Sequence, residues 1–232
     1  SAAVNVAENS TAVTTVTATD ADLPGQTLTY TITGGADAAN FSIVGATGVL
    51  TFVAAPNYES PTDAGGNNVY DVQVTVSDGT LTDLQDIAVT VTAVNDNNPV
   101  ITSNGGGATA AVNVAENTTA VTTVTATDAD LPGQTLTYTI TGGADAATFS
   151  IVGATGVLTF VAAPNYESPT DAGGDNVYDV IVQVSDGNGG NNTQNIAATV
   201  TNVSNTLTVT NSLDVSNGDT SSIEALNAND GG

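Results

Sequence analysis

The chain has 232 residues, no lysine, arginine or histidine, and 24 acidic residues for a formal net charge of −24, so no two side chains can form a salt bridge. That balance rules out nucleic acid and anionic membrane surfaces as partners, since both are gripped by Lys and Arg. With only 10% charged and 40% hydrophobic residues, it is too apolar for a disordered acidic tail, and its length suits two domains of ordinary size.

In chain order, Val4 and Val6 alternate with polar neighbours, as do Val16 and Ala18, which predicts two strands. Leu28, Tyr30 and Ile32 sit two apart, on one face of a further strand. Phe41-Ser42-Ile43 and Val49-Leu50-Thr51-Phe52 flank Gly45 and Gly48 and read as a hairpin. Val72, Val74 and Val76 alternate with outward Gln73 and Thr75, and Ile87, Val89, Val91 and Ala93 close the module. The pattern then repeats. Val4 recurs as Val112, Glu8 as Glu116 and Asp78 as Asp186, and after one inserted residue Ile87 recurs as Ile196. A period this long is a duplicated domain rather than a solenoid unit. No stretch shows helical periodicity, and about seven short strands in about 100 residues is the pattern of a β-sandwich. The expected domains are residues 1–98, residues 99–205, and a C-terminal extension over 206–232. In the extension Leu207, Val209 and Asn211 suggest a strand, and Ser221 with Glu224 a capping box.

The missing residue types narrow the function classes. The chain has no Cys, which removes disulfides, thiolate metal sites and cysteine nucleophiles, and fits large exported bacterial proteins. Neither a signal peptide nor an apolar run of about 20 residues is present, so the piece reads as a mature, soluble segment without membrane insertion. It is not expected to be an enzyme. Without His, Cys, Lys or Arg, carboxylates are the sole candidate acids and bases, and 4% aromatic content offers few platforms for a sugar substrate. A glycan-binding sandwich of a secreted protein is the alternative, with Tyr30, Tyr58 and Tyr70 as stacking candidates. Tyr30 falls on the buried face, and Tyr58 suits a loop core.

Acidic motifs recur in fixed places. Glu8 and Glu116 end the opening strands within Val-Ala-Glu-Asn. Asp20 and Asp22, and again Asp128 and Asp130, form Asp-Ala-Asp, whose i, i+2 spacing projects both carboxylates to one side of an extended segment. Asn57 and Glu59, repeated as Asn165 and Glu167, belong to Asn-Tyr-Glu, and Asp78 and Asp186 to Ser-Asp-Gly. Between the copies lies Asn95-Asp96-Asn97-Asn98-Pro99, a run of carboxylate and amide oxygens of the kind a hard divalent cation such as calcium takes. The same residue types also form ordinary solvated turns.

Together and in order, these motifs resemble the cadherin repeat and its bacterial cadherin-like relatives, over residues 1–205. The resemblance implies an all-β chain of two tandem Greek-key, Ig-like β-sandwiches, and a junction that holds Ca2+. The first module and linker would supply Glu8, Asn57, Glu59, Asn95, Asp96 and Asn97; the second would supply Asp128, Asp130 and Asp186. Asp20, Asp22 and Asp78 would form a second half-site, completed by a preceding module. Two carboxylates of the family pattern are replaced, at Ala93 and Asn57, which leaves one ion absent or weakly held. Gly105-Gly106-Gly107 lengthens the run from Pro99 to Glu116, and Ser204-Asn205-Thr206 lacks the carboxylate of Asn95-Asp96-Asn97. The function implied is a calcium-stiffened module of a bacterial surface adhesin or extracellular filament. Its expected partners are neighbouring repeats, copies of itself in a homopolymer, and cell-surface glycans or proteins.

Overall fold

The computed structural model of the chain describes residues 2–22 and 25–204. The chain splits into two compact units, residues 1–97 with 128–134, and residues 98–127 with 135–232. The expected strand and capping box of 206–232 lie outside the described residues.

In the first unit the strands are β1 (Ala2–Ala7), β2 (Ala12–Thr15), β3 (Thr29–Gly34), β4 (Phe41–Ile43), β5 (Val49–Phe52), β6 (Val69–Ser77) and β7 (Thr82–Thr92). They form a four-stranded sheet in the order β1-β7-β6-β3 and a three-stranded sheet in the order β2-β5-β4. All pairs are antiparallel except β1 with β7, which run parallel with Val4 opposite Val89. The alternation of β6 and β7 is what closes the core. Tyr70, Val72 and Val74 from β6 and Ile87, Val89 and Val91 from β7 are buried against Leu50 and Phe52 of β5. Phe41 and Phe52 stack with centroids 4.7 Å apart, and Tyr70 meets Phe52 edge-on at 5.2 Å. With no Met or Trp to fill space, this aromatic trio is the bulk of a thin core.

The second unit holds β8 (Val100–Ile101), β9 (Thr109–Ala115), β10 (Ala120–Thr123), β11 (Ala126–Thr127), β12 (Thr137–Gly142), β13 (Phe149–Ile151), β14 (Val157–Phe160), β15 (Val177–Ser185) and β16 (Asn191–Thr201). Its sheets repeat those of the first, β12-β15-β16-β9 and β10-β14-β13, with a two-stranded addition of β8 and β11. Both units are β-sandwiches, as the alternation predicts, with the Greek-key order that the resemblance implies. The described residues contain two short 3-10 turns, Ala38–Asn40 and Ala146–Thr148, and no helix long and apolar enough to cross a membrane. The strand expected at Val16 and Ala18 is the exception. β2 ends at Thr15; Val16 still donates its N–H to Gly48, but Ala18 and Thr19 lie in no strand, whereas their counterparts Ala126–Thr127 form β11 in the second unit. A strand needs a neighbour, and among the described residues β8 is present beside β11 in the second unit alone.

Each unit also spends buried carboxylates on its own backbone. Asp37 is 5% exposed, and its two oxygens accept the N–H groups of Ala64 at 2.6 Å and Asp71 at 2.8 Å. Asp63 accepts from Asn67 and Asn68; Asp145 and Asp171 repeat both arrangements. In a chain without cations, backbone N–H groups are the internal donors that carry no competing negative charge. At Asp171 burial pushes the carboxyl pKa up, but the N–H groups of Asp175 and Asn176 outweigh it and hold the pKa below its ordinary value. A pKa lower in the folded than in the unfolded state means the native form binds fewer protons. The stabilisation is therefore present above the unfolded value of about 3.9 and is lost as pH falls through the folded one. Asp171→Ala, which removes the charged acceptor of two part-buried N–H groups, should cost about 2–3 kcal/mol at neutral pH. The gap between variant and parent should narrow below about pH 4. Urea denaturation at both pH values checks this.

Candidate metal centre

The parallel pairing of β1 with β7 brings the end of β1, and Glu8 with it, beside the exit of β7. Glu8 is 3% exposed. Its oxygens accept the N–H of Val94 and the N–H of Tyr58, each at 2.7 Å, so it ties the linker to the Asn-Tyr-Glu loop. That staple carries Glu59 and Asp96 to the same place. One carboxylate oxygen from each of Glu8, Glu59 and Asp96 lies within 4.8 Å of the others. Three carboxylates so close repel one another, and no Lys, Arg or His exists to compensate them.

The segment 128–134 belongs to the same compact unit and adds to the acidic group. Asp130 is 2% exposed. It accepts the backbone N–H of Asn97 at 3.2 Å, the Asn97 side-chain amide at 2.7 Å and the Gln134 amide at 3.1 Å. The Asn97 amide also donates to Asp96 at 2.7 Å, and the Gln134 amide to Asn95. Asp128 accepts the N–H of Asp130 at 3.0 Å, as expected of an i, i+2 acidic pair in a turn. Glu59 accepts the N–H of Leu131 at 3.2 Å. Among the described residues four buried side-chain oxygens have no hydrogen-bond partner, and two of them, Glu59 Oε2 and Asp128 Oδ2, are carboxylate oxygens of this group; the others are the amide oxygens of Asn68 and Asn176. A buried carboxylate oxygen without a donor is costly unless a cation meets it.

The remaining predicted residues accept hydrogen bonds within their own turns. Asn57 is exposed, and its side-chain oxygen accepts the N–H of Ser60 within its own turn. Asp186 is buried and accepts from Asn188 at 2.7 Å and Gly190 at 3.1 Å. Asp20 accepts the N–H of Asp22, and both are exposed. Asp78 accepts the N–H groups of Leu81 and Thr80, each at 2.6 Å, and these hold its pKa below the ordinary value. Glu116, the counterpart of Glu8, repeats the staple with Val203 at 2.8 Å and Tyr166 at 3.2 Å, and Val203 contributes most to lowering its pKa. Near Glu116, Glu167 accepts from Asn202, and among the described residues neither belongs to a group of carboxylates close enough to share a metal. Of the stacking candidates, Tyr30 and Tyr70 are core residues, and Tyr58 packs partly buried against the core.

Sequence reasoning passed over Asp37, Asp63, Asp145 and Asp171. For Asp63 and Asp171 a signal was available in the identical motifs Thr62-Asp63-Ala64-Gly65-Gly66 and Thr170-Asp171-Ala172-Gly173-Gly174. They hold loops together and do not join the acidic group.

Comparison with known proteins places this geometry. The sequence model of the Cadherin domain matches residues 2–94 and again 110–204. Cadherin-16 of Oryctolagus cuniculus is 33% identical over 154 residues, which is 61% of this chain and 18% of that protein. The chain therefore spans under a fifth of the relative it matches. Among solved structures, human protocadherin-24 EC1-2 superposes with a TM-score of 0.66 at 21% identity, covering 87% of this chain and 95% of that one. Drosophila N-cadherin EC1-4 gives 0.67 at 18% identity, covering 87% and 48%. Cadherin domains are extracellular, adhesion-type modules that make repeat and homophilic contacts, and the family is not enzymatic. With both halves matched by the family model and folded as its sandwich, the chain belongs to the cadherin family, as two tandem cadherin domains.

Proposed function

We propose that the chain is a calcium-stiffened structural module of a bacterial surface adhesin or extracellular filament. One observation carries the reading: the carboxylates of Glu8, Glu59 and Asp96 converge within 4.8 Å in a protein that has no cationic side chain. The donors are all oxygen, which suits calcium and argues against zinc or another metal that prefers sulfur and imidazole. The partnerless oxygens of Glu59 and Asp128 are where an ion would relieve a buried charge. Glu59, Asp96 and Asp128 would hold calcium most directly. Glu8, Asn95, Asn97 and Asp130 would hold it or orient its ligands. Asn57 and Asp186 enter on the family motif. Asp20, Asp22 and Asp78 form the second half-site of the proposal, to be completed by a neighbouring module. The bound ion would supply counter-charge, fixing the linker after Val94 against the Asp128–Gln134 segment.

Sites of this kind in extracellular modules bind at about 10⁻⁴ to 10⁻³ M, so the module would be stiff outside a cell and slack in chelator. Titration calorimetry of calcium into metal-free protein should show saturable heat in that range, and Glu59→Gln should weaken it by about tenfold or more. No heat up to concentrations well above that range would sink the proposal.

A further inference from the structure

Glu59 enters the acidic group from the Asn57-Tyr58-Glu59 loop, and that loop is held on both sides of Tyr58. The Tyr58 N–H donates to Glu8 Oε2 at 2.7 Å, and the Tyr58 carbonyl accepts the side-chain amide of Asn68 at 2.9 Å. The second bond fixes the peptide from which Glu59 itself hangs. Asn68 is well anchored for that task. Its N–H donates to Asp63 at 3.0 Å, and its carbonyl accepts the N–H of Val91 in β7 at 2.8 Å. β7 runs on toward Val94, whose N–H is held by the other oxygen of Glu8. Asn68 therefore ties the loop that carries Glu59 to the strand that leads into Asp96. Its backbone is left-handed, with φ of +62°, a conformation that glycine adopts more readily. Asparagine there also leaves a buried amide oxygen, Oδ1, without a hydrogen-bond partner. Glycine would remove both costs, but glycine has no Nδ2 to offer the Tyr58 carbonyl. Turning the amide over would set Oδ1 against that carbonyl oxygen, so its orientation is fixed as well.

We propose that Asn68 is a positioning residue for the metal site. Through the Tyr58 carbonyl, its side-chain amide sets the peptide that carries Glu59 and so keeps Glu59 Oε2 aimed at the ion. The inference rests on the reading of Glu8, Glu59 and Asp96 as a calcium site, and it adds a residue that does not itself hold the ion. Glu59 Oε1 already accepts the N–H of Leu131, and Oε2 is its buried oxygen without a donor. The aim of that oxygen depends on where the side chain is rooted, and a ligand held in place before the ion arrives binds it more tightly. The second unit repeats the arrangement without the metal group. Asn176, with φ of +64°, donates its amide to the Tyr166 carbonyl at 3.0 Å, and Tyr166 donates its N–H to Glu116 at 3.2 Å. Asn176 is anchored in the same way, by Asp171 and Val200. The residue that follows Tyr166, Glu167, belongs among the described residues to no group of carboxylates close enough to share a metal. The chain thus contains its own control, one bond made twice and a metal group beside it once.

The test compares Asn68→Gly with Asn176→Gly in the whole chain, by calorimetric titration of calcium and by urea denaturation in chelator. Each variant removes the same bond, and glycine tolerates the left-handed backbone, so strain is not a second cause. Asn68→Gly should bind calcium about tenfold more weakly, in the range contributed by groups that orient metal ligands. Asn176→Gly should bind calcium as the parent does. Asn68→Asp keeps the shape but sets an oxygen against the Tyr58 carbonyl. It should weaken calcium too, although its added charge alone would strengthen binding. A merely structural bond would lower stability in chelator for both glycine variants and leave calcium affinity alone, and that result would overturn the positioning role. Calcium bound as tightly by Asn68→Asp as by the parent, or weakened equally by Asn176→Gly, would also overturn it while leaving the metal reading intact. No saturable calcium heat in the parent would overturn both.

Discussion

Calcium at ten- to a hundredfold excess over its dissociation constant should raise the melting temperature of the first unit by about 6–20 °C per bound ion. That range follows from about 1.4–2.7 kcal/mol of linkage per site and about 4–8 °C per kcal/mol for a unit of this size. Asp96→Asn separates the metal from simple packing because its effect should differ in sign between two conditions. Asp96 is exposed and contributes no core surface, so its neutralisation leaves the sandwich intact. Without calcium the variant should melt at or slightly above the parent, because each carboxylate pair at this spacing costs roughly 1 kcal/mol even in water. With calcium most of the increment should vanish. Magnesium should do less for the parent, since it holds its water and demands tighter octahedral geometry. Scanning calorimetry of both proteins with calcium, magnesium and chelator decides it, and an equal calcium shift in parent and Asp96→Asn would refute the assignment.

The second large effect concerns glycine. Gly143 follows the β-bulge between Ile140 and Gly142 and has φ of +107°. There the chain leaves β12 and passes against β15, and an added Cβ would stand 2.3 Å from the carbonyl oxygen of Asp179 and 2.5 Å from the Cα of Val180. Both obstacles are backbone within the central strand of the sheet, so neither can move without breaking the ladder. Gly143→Ala should therefore cost on the order of 4 kcal/mol, from left-handed backbone strain together with overpacking. Gly174 is the matched control, with φ of +65° and open space where the Cβ would go. Its Ala variant should lose only about 1 kcal/mol, from backbone strain alone. Gly35 repeats the contact in the first unit, 2.3 Å from the carbonyl of Asp71, and predicts the same loss there. Urea denaturation of the variants measures all three, and a Gly143→Ala cost no larger than that of Gly174→Ala would refute the argument.

The strands were legible wherever side-chain alternation was dictated by a local choice between core and solvent. The alternation at Val72, Val74 and Val76, the spacing of Tyr30 and Ile32, and the Phe41 to Phe52 hairpin all stand in the structure where their patterns put them. The segment after Thr15 was not, because Ala18 and Ala126 have the same neighbours in sequence and differ only in whether Val100–Ile101 lies beside them. No local pattern encodes a partner that comes from elsewhere in the chain. Asp37 and Asp171 were also missed. In sequence they resemble loop carboxylates; the donors of Asp37 come from far along the chain, at Ala64 and Asp71, and those of Asp171 from its own turn, at Asp175 and Asn176.

From the residues alone came the all-β class, the duplication, and an excess of carboxylates with no side chain of opposite charge. Those follow from composition and periodicity, which need no coordinates. What only the tertiary structure decided is how each carboxylate is used. Asp37, Asp63, Asp145 and Asp171 are spent on backbone donors, Glu8 both staples the linker and stands in the acidic group, and Glu59 and Asp128 each keep a buried oxygen without a partner. A carboxylate's role depends on which donors lie within about 3 Å of it, and that is a property of the folded chain.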